Sequence, residues 1–238
     1  MLEIKNISVK IEEKILLDNI SMHFELGKNY CILGKNGSGK SSLAMTIMGN
    51  PKYTIEAGDI LIEKKSIKEM MPNERAQLGI FLAFQHIPEI AGLKLFEFLR
   101  TIYNAKEGKE YSFLQFKKVI EPLFQELHLE KDFLRRDLNV GFSGWERRKL
   151  EILQIKLLQP KYIILDEIDS GLDVDAFKKV AKLVTEENQE GNTFIIITHI
   201  FTILDYIPVD KVFVLEKGKL VKEWDITLIE KVKKEWFN

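Results

Sequence analysis

The chain has 238 residues, enough for one sizeable hydrophobic core, and its 45% hydrophobic and 30% charged residues are typical of a soluble globular protein. Acidic and basic side chains nearly balance, at 36 to 35, so the net charge of −1 gives no general electrostatic basis for binding nucleic acid or an anionic membrane. The one cysteine, Cys31, excludes an intramolecular disulfide and fits a reducing compartment.

The N-terminal stretch MLEIKNISVK carries charges where a secretory signal would be apolar. No apolar run in the sequence approaches the roughly 18 residues that a membrane span requires. We therefore expect a cytoplasmic protein without direct insertion into the membrane, which would need a partner in order to act there.

The first third of the chain alternates apolar and polar residues, as in LEIKNISVKI and ISMHFEL. This period of two predicts antiparallel strands with one face exposed to solvent. Short continuous apolar runs rich in β-branched residues follow: YCILG, YIILDE and TFIIITH. They are typical of parallel strands covered by helices on both faces, in a sheet whose ligands gather beyond the carboxyl ends of the strands.

Between about Pro88 and Asn139 the apolar residues recur at three- and four-residue spacing, as in LKLFEFLRTIYNA and FLQFKKVIEPLFQELHL. We interpret residues 1–238 as a single domain, with a helical subdomain inserted at approximately 88–150. The fold class predicted is α/β: a mostly parallel sheet with helices on both faces, an N-terminal antiparallel β-subdomain and the inserted helices.

The end of the sequence contains two further elements. KVFVLEKGKLVKEW predicts a hairpin with its turn at Lys217-Gly218, and ITLIEKVKKEWF predicts a closing amphipathic helix.

The segment GKNGSGKS, Gly34 to Ser41, fits the P-loop pattern, follows the apolar strand YCIL and leads into the helical SSLAMTIMG. Glycines let the backbone wrap around phosphate, and the N–H groups and the helix start supply positive potential. We expect Lys40 to reach the β- and γ-phosphates and the Ser41 hydroxyl to ligate Mg²⁺. The alternative, a glycine-rich turn that binds nothing, is disfavoured by the flanking strand and helix. The predicted nucleotide-binding residues here are Gly34, Lys35, Asn36, Gly37, Ser38, Gly39, Lys40, Ser41 and Ser42.

Polar residues follow two of the predicted parallel strands. YIILDE ends in Asp166, which is expected to hold the Mg²⁺ shell, and Glu167, which is placed to orient or deprotonate an attacking water. TFIIITH ends in His199, which would stand near the same sheet edge and contact the γ-phosphate. Solvated turn acids and a structural histidine are the alternatives.

The stretch GFSGWERRK has the S-x-x-E spacing of a capping box at Ser143 and Glu146, which predicts a helix start there. Free N–H groups and the helix dipole make such a start an anion site, although a capped structural helix is the plainer alternative.

The order of these motifs resembles the ATP-binding-cassette (ABC) ATPases from end to end. The motifs are, in order, the P-loop from Gly34, LAFQ with Gln85, FSGWE from Phe142, YIILDE ending at Glu167, SGLD from Ser170, and His199. The resemblance implies Mg²⁺-dependent ATP hydrolysis by an ATP-dependent homodimer, with each ATP lying between the P-loop of one copy and the signature helix of the other.

The same resemblance assigns roles to the candidate residues. It implies that Glu167 is the catalytic base, acting with His199 and Lys40. The residues that it places at the nucleotide outside the P-loop are Gln85, Ser143, Gly144 and Asp173. Those that it places around Mg²⁺ are Ser41, Gln85 and Asp166. Gln85 would couple the γ-phosphate to the helical subdomain, and Asp173 would communicate across the dimer.

A closer resemblance is to the SufC type of ABC ATPase, which serves the Suf iron–sulfur cluster assembly machinery. It is carried by PNERAQLGIFLAFQHIPEIAGLKLFEFLR, LNVGFSG and DEIDSGLDVDA. Ile168-Asp169 replaces the Pro-Thr more usual in transport ATPases, and Phe142 opens the signature. The resemblance implies that SufB- or SufD-like scaffold proteins are the partners.

The sequence departs from the usual family pattern at two places. Near Ile11 there is no aromatic residue to stack on adenine, and Trp145 stands at the second glycine of the signature. We expect the indole to point away from the phosphate, because the backbone N–H groups of the helix start remain available.

An iron–sulfur cluster typically takes four cysteine thiolates, so a chain with Cys31 alone cannot hold one unaided. No histidine or cysteine cluster has zinc spacing. The chain is therefore expected to be the motor of cluster assembly and not the scaffold that holds the cluster.

Three alternative functions remain: a nucleotide-binding subunit of a membrane ABC transporter, a slow ATP-dependent regulatory switch, and a structural protein without nucleotide.

Overall fold

The computed structural model describes residues 1–84, 88–167, 178, 181–182, 184–186, 188, 191–225 and 227–229. The chain divides into two compact units, Met1–Phe84 with Lys161–Asn238 and Gln85–Pro160. Gln85, Ser170, Asp173 and most of the predicted closing helix lie outside the described residues.

The described strands are β1 (Leu2–Ile11), β2 (Lys14–Phe24), β3 (Asn29–Leu33), β4 (Thr54–Ile62), β5 (Lys65–Ser66), β6 (Ile80–Ala83), β7 (Ile90–Lys94), β8 (Asp137–Leu138), β9 (Tyr162–Asp166), β10 (Thr193–Thr198), β11 (Lys211–Glu216) and β12 (Lys219–Asp225). The α-helices whose two ends lie in the described part of the chain are α1 (Lys40–Met48), α2 (Pro72–Gln77), α3 (Leu95–Glu107), α4 (Phe113–Glu126) and α5 (Gly144–Leu158). Two short 3₁₀ turns span Lys131–Arg135 and Phe201–Asp205.

The first unit contains an antiparallel sheet in the order β2-β1-β4-β5, as the alternating pattern predicts. Strict alternation fails in both long strands, and in β1 it fails between Ile4 and Ile7, which are both buried although three positions apart. The register shifts between them, and Asn6 takes a positive φ of 49°. A bulge thus returns the apolar side chains to the buried face.

The second sheet of this unit has the order β12-β11-β3-β10-β9-β6. Neighbouring strands from β11 to β6 run parallel, while β12 pairs antiparallel with β11 through the predicted turn at Lys217-Gly218. The pairing sets Thr198 opposite Leu33 and Ile197 opposite Asp166, so β3, β9 and β10 end nearly level. The residues that follow these strands therefore meet at one edge of the sheet.

Helix α1 connects the two sheets. It contacts β2 and β4 of the antiparallel sheet and β6 and β9 of the parallel one. Its Leu43, Ala44 and Ile47 are fully buried and belong to a core cluster with residues from both sheets. Because both sheets enclose α1, the loop before it has a fixed position.

The second unit is mostly helical. Leu99 of α3, Phe116 and Ile120 of α4 and Leu153 of α5 share its core and are fully buried. The helical spacing correctly predicts α3 and α4 but misses the short ribbon formed by β7 and β8. Within β7, Gly92 takes a φ of 84°, a conformation that residue spacing does not reveal.

Within the part of the chain that the structure describes, no helix combines the length and apolar character needed to cross a bilayer.

Arg75 of α2 is 2% exposed and fixes the end of α1. Its guanidinium donates to the carbonyls of Thr46 and Ile47 at 2.8 and 2.9 Å, and to those of Lys68 and Met70 at 2.7 and 3.0 Å. The negative end of the helix dipole stabilises a buried cation at a helix C-terminus. Here the guanidinium also adds a donor to the Ile47 carbonyl and to the Thr46 carbonyl, which accepts from the Gly49 N–H as well.

Replacing Arg75 with leucine is expected to lower the free energy of unfolding by about 2 to 4 kcal/mol, because the buried carbonyls lose their donors. Denaturant unfolding of the full chain measures this change. Arg135→Leu, at an exposed arginine, is the control and should change the free energy by no more than about 0.5 kcal/mol. Equal effects of the two changes would contradict this role of Arg75.

Candidate functional site

The loop from Gly34 to Gly39 joins β3 to α1 and forms a backbone cradle. Gly37 and Gly39 have φ values of 79° and 104°, a backbone conformation that residues other than glycine rarely adopt. A Cβ at Gly34 would lie 2.4 Å from both the Leu215 carbonyl oxygen and Ser38 Oγ. Glycine is thus required at Gly34 by close contact and at the other two by backbone conformation.

The polar atoms of this cradle fit an anionic ligand. Ser38 Oγ is buried and has no hydrogen-bond partner among the described residues. Asn36 and Gly37 are exposed at the tip of the loop, and Ser42 lies in the first turn of α1. The helix start therefore presents its N–H groups beside a hydroxyl that lacks a partner, which is the chemistry that phosphate oxygens need.

Lys40 is 3% exposed, and its ammonium group lies inside the cradle. Nζ donates to the carbonyls of Gly34 at 2.8 Å and Lys35 at 3.2 Å, and it lies 3.7 Å from Glu167 Oε1. Burial of an ammonium group is tolerated only when partners compensate for lost hydration. The loop's own carbonyls and the Glu167 carboxylate provide that compensation.

The fold brings together two oxygen-bearing side chains, Ser41 and Asp166, both of which are predicted Mg²⁺ ligands. Ser41 Oγ donates to Asp166 Oδ1 at 3.2 Å, and Asp166 is buried at the end of β9. Burial raises the pKa of Asp166, an effect that the Ser41 hydrogen bond and nearby Lys40 partly oppose. A hydroxyl and a carboxylate are hard oxygen ligands of the kind that Mg²⁺ prefers, so this donor pair fits the metal.

Glu167 lies between two nitrogen-bearing side chains at the same edge. Its Oε1 is 3.6 Å from His199 Nδ1 and 3.7 Å from Lys40 Nζ. The residue has a φ of 48°, and its N–H donates to the Ile197 carbonyl at 2.9 Å. This backbone bond to the neighbouring strand holds Glu167 in a conformation uncommon for a residue with a side chain.

Sequence analysis does not identify the part of this site that comes from the β11–β12 turn. Gly218 donates its N–H to the Ser38 carbonyl at 2.9 Å and accepts from the Asp18 N–H at 2.8 Å. The sequence predicts the turn at Gly218, but no local pattern shows that it supports the P-loop.

The predicted helix start at Ser143 lies in the second unit. Ser143 Oγ accepts from the Glu146 N–H at 3.2 Å, and Glu146 Oε2 accepts from the Ser143 N–H at 2.7 Å. These bonds form the predicted capping box, and the backbone hydrogen bond from Ser143 is the main cause of the lowered pKa of Glu146. Ser143 and Gly144 are exposed, and Trp145 is half-buried.

The structure thus brings the P-loop, Asp166, Glu167 and His199 together in the first unit, whereas Ser143 and Gly144 belong to the second. Gln85 and Asp173 lie outside the described residues.

Comparison with known proteins gives a family match over most of the chain. The family described as ABC transporter matches residues 17–170. The probable ATP-dependent transporter ycf16 of Antithamnion sp. is 44% identical over 225 residues, covering 93% of this chain and 90% of that protein. Vegetative protein 296 of Bacillus subtilis (strain 168) is 39% identical over 239 residues, covering 100% and 92%.

A solved structure has the same fold. The dimeric post-hydrolysis state of the ATP-binding cassette MJ0796, bound to ADP and Pi, has a TM-score of 0.80 and 21% identity, and the match covers 95% of this chain and 99% of that one.

Replacing Lys40 with methionine is expected to weaken Mg·ATP binding by about 30- to 100-fold, because a charge-assisted bond to phosphate is lost. Calorimetric titration with Mg·ATP measures the affinity. Lys52→Met is the control, since Lys52 is exposed and lies outside the P-loop. The assignment fails if both variants bind equally well.

Proposed function

The chain belongs to the ABC transporter family, and we propose that it is the ATP-hydrolysing motor of an iron–sulfur cluster assembly machinery. In this role two copies close on ATP. Their closure drives a conformational change in a SufB- or SufD-like scaffold. Its ATP-binding cassette binds ATP with Mg²⁺ and hydrolyses it, as is general in this family.

One observation carries the proposal for hydrolysis: Lys40 Nζ and His199 Nδ1 lie 3.7 and 3.6 Å from the same Glu167 oxygen, at the edge where the P-loop leaves the sheet. A carboxylate flanked in this way is held close to a phosphate cradle. It is therefore placed to accept a proton from a water that attacks the terminal phosphate.

In the proposed reaction, Lys40 exchanges the carbonyls of Gly34 and Lys35 for phosphate oxygens. Ser41 and Asp166 would hold Mg²⁺, which would supply neutralisation of phosphate charge. Glu167 takes the proton of the attacking water, and His199 orients the terminal phosphate. Most of the rate acceleration comes from positioning and electrostatic stabilisation, because phosphoryl transfer requires little covalent participation by the protein.

The start of α5 supports the dimer in this proposal. Ser143 and Gly144 are exposed, and a Cβ at Gly144 would meet nothing within 4 Å. A capped, exposed helix start is suited to approach the terminal phosphate of an ATP bound to a second copy. We infer that each ATP is completed by the partner copy's helix start.

The scaffold assignment rests on residues outside the ATP site. The sequence around Pro88 to Arg100 and the signature that begins with Phe142 resemble SufC-type ATPases. Cys31, the only cysteine, is fully buried in β3, so this chain cannot supply the thiolates of a cluster. A separate scaffold must therefore hold iron and sulfide, and ATP-driven closure would move it.

A second candidate function is the nucleotide-binding subunit of a membrane transporter. The matched family is described as ABC transporter, and the relative from Antithamnion sp. bears the name ATP-dependent transporter. The catalytic residues would be the same in either role, so only the partner distinguishes them.

Replacing Glu167 with glutamine is expected to lower kcat by about 100- to 10,000-fold while leaving ATP affinity nearly unchanged, because the proton acceptor is lost but the phosphate cradle remains. Phosphate release and calorimetric titration measure the two quantities. Glu216→Gln, at the exposed end of β11, is the control and should keep wild-type kcat. Normal turnover in E167Q would reject Glu167 as the base.

The wild-type rate tests a different alternative. Negligible turnover of the wild type, even with scaffold present, would favour a slow ATP-dependent regulatory switch.

The partner is tested by purifying the tagged chain from its source cells with and without detergent, followed by mass spectrometry. The proposal predicts that SufB- or SufD-like proteins are recovered without detergent. A polytopic membrane protein recovered only with detergent would replace the scaffold assignment with the transporter role. E167Q, which should prolong the ATP-bound state, is expected to increase recovery of the true partner.

A further inference from the structure

The loop before α5 has three consecutive carbonyls that accept hydrogen bonds from arginines. Arg136 Nη2 donates to the carbonyls of Val140 at 3.4 Å and Gly141 at 3.0 Å. Arg147 Nε donates to the Phe142 carbonyl at 3.0 Å. Every peptide oxygen from Val140 to Phe142 is thus held by a guanidinium group immediately before the exposed Ser143.

Arg136 is itself held in place by aromatic rings. Its guanidinium carbon lies 4.8 Å from the Phe133 ring centroid and 4.3 Å from that of Phe142. Both rings belong to the buried core of the second unit. Cation–π contacts on both rings restrict this side chain, so Arg136 is a rigid support.

Arg147 is oriented differently, by an ion pair with Glu89 through its Nη2. Since Nε bonds to the Phe142 carbonyl, the planar guanidinium joins the loop to the segment that precedes β7. A lysine has no such fork and cannot make both contacts in the same geometry.

A second bond joins the same two segments. The buried side chain of Asn139 donates to the Pro88 carbonyl at 2.9 Å. Pro88 and Glu89 are therefore joined to both ends of the loop that leads to the helix start. The paired contacts restrict rotation of the loop more than either contact alone.

We propose that Glu89 is a positioning residue for the ATP-dependent dimer: by orienting Arg147, it fixes the Phe142 carbonyl and thereby the Ser143–Gly144 helix start that meets the partner copy's ATP. This inference rests on the proposed function, since it concerns closure of two copies on ATP. Glu89 acts through Arg147, and its effect should fall on dimer closure and not on the first ATP-binding step.

The test compares Glu89→Gln with Glu97→Gln in the full chain. Glu97 pairs with Arg100 in the same unit, and the two ion pairs are similarly exposed. The side chains of Glu89 and Glu97 are 46% and 47% exposed, and those of their partners Arg147 and Arg100 are 26% and 30% exposed. E89Q is expected to raise the dimer dissociation constant at saturating Mg·ATP by about two- to fivefold. E97Q should leave it unchanged, and ATP affinity of dilute monomers and unfolding temperature should be equal in both.

A double-mutant cycle tests whether Glu89 acts through Arg147. R147Q alone is expected to weaken dimerisation by about tenfold, because a charged donor to the Phe142 carbonyl is lost. In the R147Q background, E89Q should have no further effect. R147K should fall between R147Q and the wild type.

Sedimentation at several protein concentrations measures all of these dimer constants. Equal dimerisation of E89Q and E97Q, or full additivity of E89Q with R147Q, would overturn the inference and leave the proposed function intact. Failure of the wild type to dimerise with Mg·ATP would overturn both.

Discussion

Burial of the Lys40 ammonium group beside the Glu167 carboxylate is the constraint on which the site depends. A cation that is 3% exposed must have compensating partners, and here they come from the loop carbonyls and from the residue after β9. In the proposed function, phosphate oxygens of ATP take the place of these carbonyls. The ligand then replaces an internal interaction with a stronger, charge-assisted one.

The surrounding fold holds this arrangement in place, in addition to the glycines that the P-loop itself requires. Helix α1 lies against both sheets, Arg75 binds the carbonyls at its far end, and the level ends of β3, β9 and β10 determine which polar residues meet. Movement of the P-loop would therefore disturb a core that includes both sheets. Rigidity of this kind is what a phosphoryl-transfer site needs, because its catalysis depends on positioning.

Much of this organisation could be predicted from sequence, because the signals are local. Continuous apolar runs identify β3, β9 and β10, and the polar residues after them predict the edge of the sheet at which the site lies. The features that sequence analysis missed depend on distant contacts. Three examples are the bulge at Asn6, the ribbon of β7 with β8, and the hydrogen bond from Gly218 to Ser38. Each depends on pairing between segments that are far apart in the sequence, which no short pattern reveals. The guanidinium contacts to the Phe142 loop likewise require the folded chain, since the spacing of arginines alone does not show which carbonyls they meet.

The position of β3 in its sheet has a consequence for synthesis of the protein. The strand that leads into the P-loop lies between β10 and β11. In the loop itself, Gly34 lies close to the Leu215 carbonyl and the Ser38 carbonyl accepts from the Gly218 N–H. All of these neighbours leave the ribosome long after the P-loop does. Such non-local pairing slows folding, because a long loop must close before its contacts form. A nascent chain that ends before the β11–β12 turn therefore lacks a complete phosphate cradle, and cellular ATP cannot act as a folding template until β11 and that turn have been made.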